Sequence, residues 1–178
     1  FKYHDELTSA AGFGAAYPYH SQPHPGGGAK GGGKNSGGFV GFLEDVFGWI
    51  AGVLSDLLFD MPDGLNRFSK KAFSPYPKIF REQWNECSNT DDQDCLGPKG
   101  FSYARHEIAP GVKVDVYNIH ADAGDSNVDR QVRATNFGQM REWINSVSDG
   151  RAVIVAGDTN LAPWRSSVDN DLLHTFMG

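Results

Sequence analysis

Between residues 101 and 120 the hydrophobic pattern predicts two consecutive strands, which restricts the fold more than any other feature. FSYARHEI at 101–108 and VKVDVYNIH at 112–120 are rich in β-branched and aromatic residues, and the second run nearly alternates. The short APG turn between them predicts an antiparallel hairpin. A helix and a third strand are predicted next, so the order strand, strand, helix, strand indicates an α/β fold with a mixed sheet.

The predicted helix covers residues 128–147 and ends at the Asp149-Gly150 pair, where glycine favours a C-cap and turn. We place its apolar stripe at Val128, Val132, Met140, Ile144 and Val147. The strand VIVAGDTN follows at 153–160. Its first four positions are apolar or small without a break, which predicts a strand that is buried on both faces.

The segment before the hairpin is predicted to be irregular. Residues 63–73 indicate a turn followed by a short strand, and residues 74–100 are rich in loop-forming residues. Cys87 and Cys95 lie in this loop, eight positions apart. We favour a disulfide between them over two free thiols, because the surrounding Asn, Asp and Gly residues offer no core for a thiol. A short disulfide loop suits an extracellular protein.

Two unusual segments precede residue 60. Residues 21–38 are Gly-rich and predict a flexible loop; a phosphate-binding loop is disfavoured, because Lys34 is followed by Asn35 and no strand precedes the run. Residues 39–59 have helical apolar periodicity with Glu44, Asp45 and Asp56 on the narrow polar face. We favour a helix packed on the domain over a helix that inserts into a lipid surface.

The chain has 178 residues and a net charge of -6. Its length suits one domain, residues 1–178. The negative charge argues against a protein that binds nucleic acid through overall basicity. The chain starts at Phe1 without an initial Met, and we expect a fragment or a processed chain.

Polar side chains follow two of the predicted apolar strands. His120 ends YNIH, while Asp158 and Asn160 end VIVAGDTN, 38 positions later. One helix and a returning strand would bring both ends to the same edge of the sheet, where sites in α/β folds commonly lie. A His, an Asp and an Asn suit phosphoryl chemistry, since they can bind phosphate oxygens, orient water or hold a divalent metal. Asx-turns are the alternative explanation of the same residues.

YNIHADAG, the helix with Arg133, Asn136 and Gln139, and VIVAGDTN together resemble the endonuclease/exonuclease/phosphatase superfamily, which includes deoxyribonuclease I-like and sphingomyelinase-like enzymes. DGLNRFSK and CLGPKGFSYAR, at 63–70 and 95–105, extend the resemblance. The resemblance implies a four-layer sandwich of two β-sheets with outer helices, of which this chain would form part.

The resemblance also implies residue roles and a cofactor. His120 would contact the scissile phosphate, Asp158 would orient or activate the attacking water, and Asn160 would hold the phosphate and the Asp. Lys99 would contact a substrate phosphate. The implied cofactor is Mg or another divalent metal, with Asp158 and Asn160 as candidate ligands.

Two family features have no match between Phe1 and Gly178. We expect the metal-binding Glu to lie upstream of Phe1, because Glu6 has no preceding apolar strand, and His174 does not match the family's closing Asp-His pair. This chain alone is therefore predicted to be inactive.

The predicted function of the parent protein is extracellular hydrolysis of a phosphoric ester, with a phospholipid such as sphingomyelin or a nucleic acid as substrate. The acidic charge and the 39–59 segment, a candidate for membrane-surface contact, favour the phospholipid. The alternative is a non-catalytic interaction module that binds a partner through 39–59.

Overall fold

The computed structural model describes residue 9 and residues 13–21, 63–76, 79–90, 94–164 and 166–178. The predicted loop at 21–38, apart from Ser21, and the predicted helix at 39–59 lie outside these residues. The elements, in chain order, are α1 (Phe13–Ala16), β1 (Tyr19–His20), β2 (Phe68–Ser69), β3 (Phe73–Ser74), β4 (Phe80–Gln83), a 3-10 turn (Asp94–Leu96), β5 (Gly100–Ala109), β6 (Val112–His120), α2 (Asn127–Val147), β7 (Ala152–Asp158) and α3 (Ser167–Met177).

These strands form two sheets. β1 and β2 pair as a short antiparallel ribbon, and the larger mixed sheet has the order β3-β5-β6-β7, with β4 also paired to β5. The predicted hairpin is β5–β6, which is antiparallel, while β7 returns parallel to β6 after the α2 crossover. The predicted α/β class, with two sheets and outer helices, is therefore confirmed.

The main core lies between the larger sheet and α2. Side chains from alternating positions of β5 and β6 contact the buried face of α2. The buried members of this cluster are Trp84, Phe101, Tyr103, Tyr117, Ile119, Ala121, Phe137 and Met140. A smaller cluster of Phe73, Ile79 and Ala104 lies on the other face of the sheet. α2 is thereby fixed on one face, with its N-terminus next to the end of β6.

Capping and buried polar contacts determine where the helices begin. Ser126 and Asp129 form a reciprocal capping box at the start of α2, with N–H to side-chain oxygen distances of 3.1 and 2.9 Å. α3 follows β7 through a short loop, and Arg133 of α2 pairs with Asp169 of α3 at 3.4 Å between two almost fully buried side chains. α3 is therefore attached to α2 by an ion pair as well as by apolar packing.

Three expectations from the sequence need correction. The strand at 153–160 is not buried on both faces: β7 is at the edge of the described sheet, with α2 covering one face, and Ile154 is 52% exposed on the other. Val128 is 47% exposed and not part of the buried stripe, because the helix turns it outward at its first turn. The loop-rich stretch at 74–100 contains β4, which pairs with β5.

No helix in the described part of the chain is long and apolar enough to cross a membrane.

Candidate active site

Three strand ends meet at one edge of the larger sheet. In the parallel β6–β7 ladder His120 is the direct partner of Asp158, and on its other side His120 is paired with Gly100, the first residue of β5. Lys99 immediately precedes Gly100. The structure therefore brings Lys99, His120 and Asp158 to the same edge of the sheet.

Asn160 stabilises the two strand ends against each other. The Ala121 N–H donates to the Asp158 carbonyl at 2.9 Å, and the Asn160 amide donates to the Ala121 carbonyl at 2.8 Å. The Asn160 backbone N–H also donates to Asp158 Oδ1 at 3.0 Å, as in an Asx-turn. Asn160 has a φ of 49°, a left-handed conformation that Asn tolerates better than most residues. The turn and the site are thus one structure, so the Asx-turn does not exclude a catalytic role.

His120 is half-buried at the end of β6. Its carbonyl accepts a hydrogen bond from Trp84 Nε1 at 2.8 Å. Burial lowers the pKa of His120, and the nearby Lys99 ammonium lowers it further, against the opposing effects of Asp158 and Asp94. In this site the imidazole is therefore mostly neutral at neutral pH, and it can donate a hydrogen bond to a phosphate oxygen through one ring nitrogen.

Lys99 forms an ion pair that the sequence did not suggest. Its ammonium lies 2.5 Å from Asp94 Oδ1, with 17% of the Lys99 side chain exposed and 6% of the Asp94 side chain. The other Asp94 oxygen accepts a hydrogen bond from the Ala123 N–H. Asp94 thus joins Lys99 to the loop that follows His120.

A disulfide joins Cys87 and Cys95, so the favoured pairing is found and the free-thiol alternative is wrong. The loop that it closes is attached to the start of α2. Ser88 donates its backbone N–H to Asp122 Oδ1 at 2.9 Å and its hydroxyl to Asp129 Oδ1 at 2.5 Å. The disulfide loop is therefore attached both to the loop after β6 and to the first turn of α2.

Polar residues of α2 hold the loops around the site. Arg133 is fully buried and donates to the carbonyls of Asp122 and Gly124 at 3.0 and 2.9 Å. Asn136 accepts from the Asp122 N–H at 3.1 Å and donates to the Glu86 carbonyl at 3.1 Å. These residues carry part of the family resemblance, and in the structure they position the backbone next to His120.

Asp122 is a buried acid that sequence reasoning did not single out. It is 1% exposed, none of the described residues donates a hydrogen bond to its Oδ2, and its carboxyl lies close to that of Asp94. Burial raises the pKa of Asp122 to about 6, and Asp94 adds to this. The YNIHADAG segment contains this acid, but its raised pKa depends on burial and on the tertiary contact with Asp94.

The described residues contain no group of three or more His, Cys, Asp or Glu side chains arranged to hold a metal ion. The donors at the strand ends are nevertheless of the right kind for a hard cation. Asp158 offers an exposed carboxylate, and the Asn160 amide nitrogen is already bound to Ala121, which leaves its carbonyl oxygen as a ligand. Mg²⁺ is commonly held by one or two carboxylates together with water and substrate phosphate, so these two residues fit part of such a site.

A mixed sheet with His, Asp and Asn at adjacent strand ends is typical of the endonuclease/exonuclease/phosphatase superfamily, and comparison with known proteins confirms this resemblance. Over 98 residues the chain is 37% identical to sphingomyelinases of Mycobacterium tuberculosis and Mycobacterium bovis. This match covers 55% of the chain but only 18% of each relative's length. No family model matches the chain.

Similar solved structures share the fold. Sphingomyelinase C from Streptomyces griseocarneus has a TM-score of 0.64 and 21% identity, over 96% of this chain and 51% of that one. A β-hairpin deletion mutant of beta toxin from Staphylococcus aureus has a TM-score of 0.63 and 19% identity, over 97% and 54%. A beta toxin double mutant with bound magnesium ions has a TM-score of 0.57 and 19% identity, over 92% and 50%.

Proposed function

We propose that the protein containing this chain is a metal-dependent, extracellular phosphodiesterase that hydrolyses a phospholipid such as sphingomyelin. The observation that carries this proposal is the direct pairing of His120 with Asp158 across β6 and β7, with Asn160 bound to both strand ends. The sequence similarity to sphingomyelinases supports the substrate class. The disulfide supports an extracellular location, because such bonds persist in oxidising compartments.

In this mechanism each residue acts on a different part of the phosphate ester. Asp158 orients a water molecule and accepts its proton as the water oxygen bonds to phosphorus and the bond to the leaving oxygen breaks. The leaving oxygen takes a proton from solvent water and departs as an alcohol, and Asp158 then returns its proton to solvent. The neutral His120 ring donates a hydrogen bond to a non-bridging oxygen, and Lys99 contributes positive charge at the same edge. A divalent metal bound at Asp158 and Asn160 would supply further charge neutralisation of the phosphate.

Assays of the full-length protein test this proposal. We expect hydrolysis of sphingomyelin in vesicles with Mg²⁺, and loss of hydrolysis when EDTA removes the metal. Asp158→Asn should lower kcat by roughly 10²–10⁴-fold, since it removes the proton acceptor. Its matched control is Asp149→Asn, an exposed acid in the turn between α2 and β7, which should leave activity unchanged.

Full activity of Asp158→Asn, or turnover that survives EDTA, would contradict the proposal. Cleavage of DNA but not of sphingomyelin would keep the catalytic residues and change the substrate class. The interaction-module alternative depends on residues 39–59, outside the described part of the chain, and it remains a prediction. Membrane contact by residues 39–59 and the inactivity of the isolated chain also remain predictions.

A further inference from the structure

Two helices begin at the same end of the molecule as the candidate site. α2 runs from the end of β6 back to the start of β7, so its N-terminus lies beside the end of β6. α3 runs parallel to α2, because Arg133 pairs with Asp169 in the first turn of α3, and Arg141 donates to the Thr175 carbonyl near its last turn. The first turns of both helices therefore border the edge where β6 and β7 end.

Three apolar side chains are exposed on these first turns and on the loop before α3. Val128 and Val168 each occupy the second position of a helix, and they are 47% and 54% exposed. Trp164 lies between β7 and α3 and is 76% exposed, although tryptophan is mostly buried in folded proteins. Apolar side chains exposed together at one place commonly mark an interaction surface. We call these three residues the rim patch.

The loop that carries Trp164 is held by hydrogen bonds of its neighbours. The Ser166 N–H donates to the Ala162 carbonyl at 3.0 Å, which closes a turn around Trp164. The Ala162 N–H donates to Asp169 Oδ2 at 3.2 Å, and Asp169 is itself paired with Arg133. The indole is therefore presented at a fixed place in the loop, while most of its surface meets solvent.

The composition of the rim patch suits a lipid surface. Tryptophan is enriched where the apolar part of a bilayer meets the headgroups, because its ring is apolar and its N–H is polar. The three side chains carry no charge, and the chain has a net charge of -6, which anionic headgroups repel. The surface that fits this combination is a bilayer of zwitterionic phospholipids.

The position of the rim patch suits a substrate that stays in the bilayer. The phosphate of a membrane phospholipid lies at the level of the headgroups, so the phosphate-binding edge of an enzyme has to reach that level. His120 and Asp158 are paired at the edge that the rim patch borders. Shallow insertion of apolar side chains at this end of the molecule would bring the two residues to the headgroups.

We infer that the rim patch inserts into the surface of a zwitterionic bilayer and thereby places His120 and Asp158 at the level of the phosphate groups. The inference rests on the proposed function. It assigns a membrane-contact surface to residues of the loop and helix ends around the site, separate from residues 39–59.

Vesicle binding without turnover is the first test. The full-length protein with Asp158→Asn, in Mg²⁺, is mixed with vesicles of sphingomyelin and phosphatidylcholine, and the bound fraction is measured by flotation. Addition of Trp164→Ala should weaken binding roughly ten- to hundred-fold, since the burial of a large apolar side chain is lost. Trp164→Phe should recover part of this loss. Unchanged binding of the Trp164→Ala protein would overturn the inference.

A matched pair of double variants tests whether position matters as well as apolar character. Val128→Thr with Val168→Thr keeps the shape of both side chains, adds a hydroxyl to each, and should weaken vesicle binding. The control is Ile108→Thr with Val112→Thr, two exposed residues beside the hairpin turn at the opposite end of β5 and β6. The control should bind as the unaltered protein does, and equal weakening by both pairs would contradict the inference.

Kinetics on two substrates separate membrane contact from chemistry. On vesicles at low lipid concentration, Trp164→Ala should lower the rate of hydrolysis by about the factor by which it weakens binding. Hydrolysis of a short-chain sphingomyelin, supplied as monomers, should be unchanged. An equal loss on both substrates would overturn the inference, because Trp164 would then affect the catalytic site itself.

Quenching of tryptophan fluorescence by lipids that carry bromine on their acyl chains locates the indole directly. The quenched signal should be smaller in Trp164→Phe than in the unaltered protein. Equal quenching would overturn the inference, since Trp164 would then not reach the acyl chains. Absence of hydrolysis by the unaltered protein would refute the proposed function, while the flotation and quenching results would still decide whether the rim patch contacts lipid.

Discussion

A glycine near the end of β7 determines how closely Asp158 can approach His120 on the neighbouring strand β6. Gly157 has a φ of 131°, and a Cβ at this position would clash with the Ile119 carbonyl and lie 2.7 Å from Asn118 Oδ1. Only glycine combines this backbone conformation with so close a neighbour. Gly157 therefore allows β7 to pair with β6 up to its last residue, Asp158.

Gly157→Ala should lower the free energy of unfolding by about 1–3 kcal/mol, through strain and the displacement of β7. It should also reduce hydrolysis, because Asp158 would move relative to His120. Urea unfolding and the vesicle assay measure the two effects. Gly138→Ala is the matched control. This glycine is exposed in α2, and no neighbouring atom lies within 4 Å of its Cβ position. Alanine there should raise the free energy of unfolding by at most about 1 kcal/mol. A stable, active Gly157→Ala variant would show that the close approach is not required.

At the scale of elements, the disulfide loop and the N-terminus of α2 depend on each other. Asp129 caps the helix and also accepts hydrogen bonds from Ser88 and Thr90 of the loop. Burial raises the pKa of Asp129, but these hydrogen bonds outweigh burial and hold the pKa well below its usual range. The carboxylate therefore stays charged at neutral pH and joins the two elements.

Replacement of both Cys87 and Cys95 by Ser should lower the free energy of unfolding by about 2–4 kcal/mol. Because Asp94, which pairs with Lys99, lies next to Cys95, kcat/KM should fall as well. Treatment of the unaltered protein with a reductant should give the same two changes in an unfolding curve and in the vesicle assay. Unchanged activity after complete reduction would show that the loop keeps Asp94 in place without the disulfide.

Across the whole molecule, Asp115 connects the elements at the edge opposite the site. It is fully buried, and it accepts from Arg105 at 2.6 and 2.9 Å, from Ser148 at 2.7 Å and from Arg151 at 3.0 Å. Burial raises the pKa of Asp115, but the three hydrogen-bond donors outweigh it and leave the pKa well below its usual range. β5, β6, the end of α2 and the turn before β7 thus share one charged centre.

An acid whose pKa is lower in the folded state stabilises the fold above its unfolded-state pKa and loses that contribution as the pH falls. We therefore expect stability to decrease as the pH drops below about 4. Asp115→Asn should lower the free energy of unfolding by about 1.5–3 kcal/mol at pH 7, because it removes the charge from the hydrogen bonds with Arg105 and Arg151, whose side chains are partly exposed. The Asp115→Asn variant should lose less stability on acidification than the unaltered protein. Urea midpoints between pH 2 and 7 test this, with exposed Asp171→Asn as the control. Parallel pH curves for Asp115→Asn and the unaltered protein would contradict the argument.

The local sequence was sufficient to predict the elements that position the site. The hairpin and the long helix have strong periodicity, and the following strand is an unbroken apolar run. The parallel return of β7 brings Asp158 and His120 to the same edge of the sheet, as predicted. β4 was missed, because its four residues, FREQ, have no strand pattern of their own and are ordered by pairing with β5. Asp94 carried no signal, because nothing in a polar loop indicates which acid will meet Lys99.

By itself, the sequence therefore determined the α/β order, the disulfide preference and the three polar residues at the strand ends, since these depend on period, turn chemistry and short spacing. Only the tertiary structure decided that β7 has an exposed face, that Asp122 has a raised pKa, and that Asp94 forms an ion pair with Lys99. Burial and charge pairing depend on which distant segments pack together. Those contacts come from loops and crossovers that local patterns do not encode.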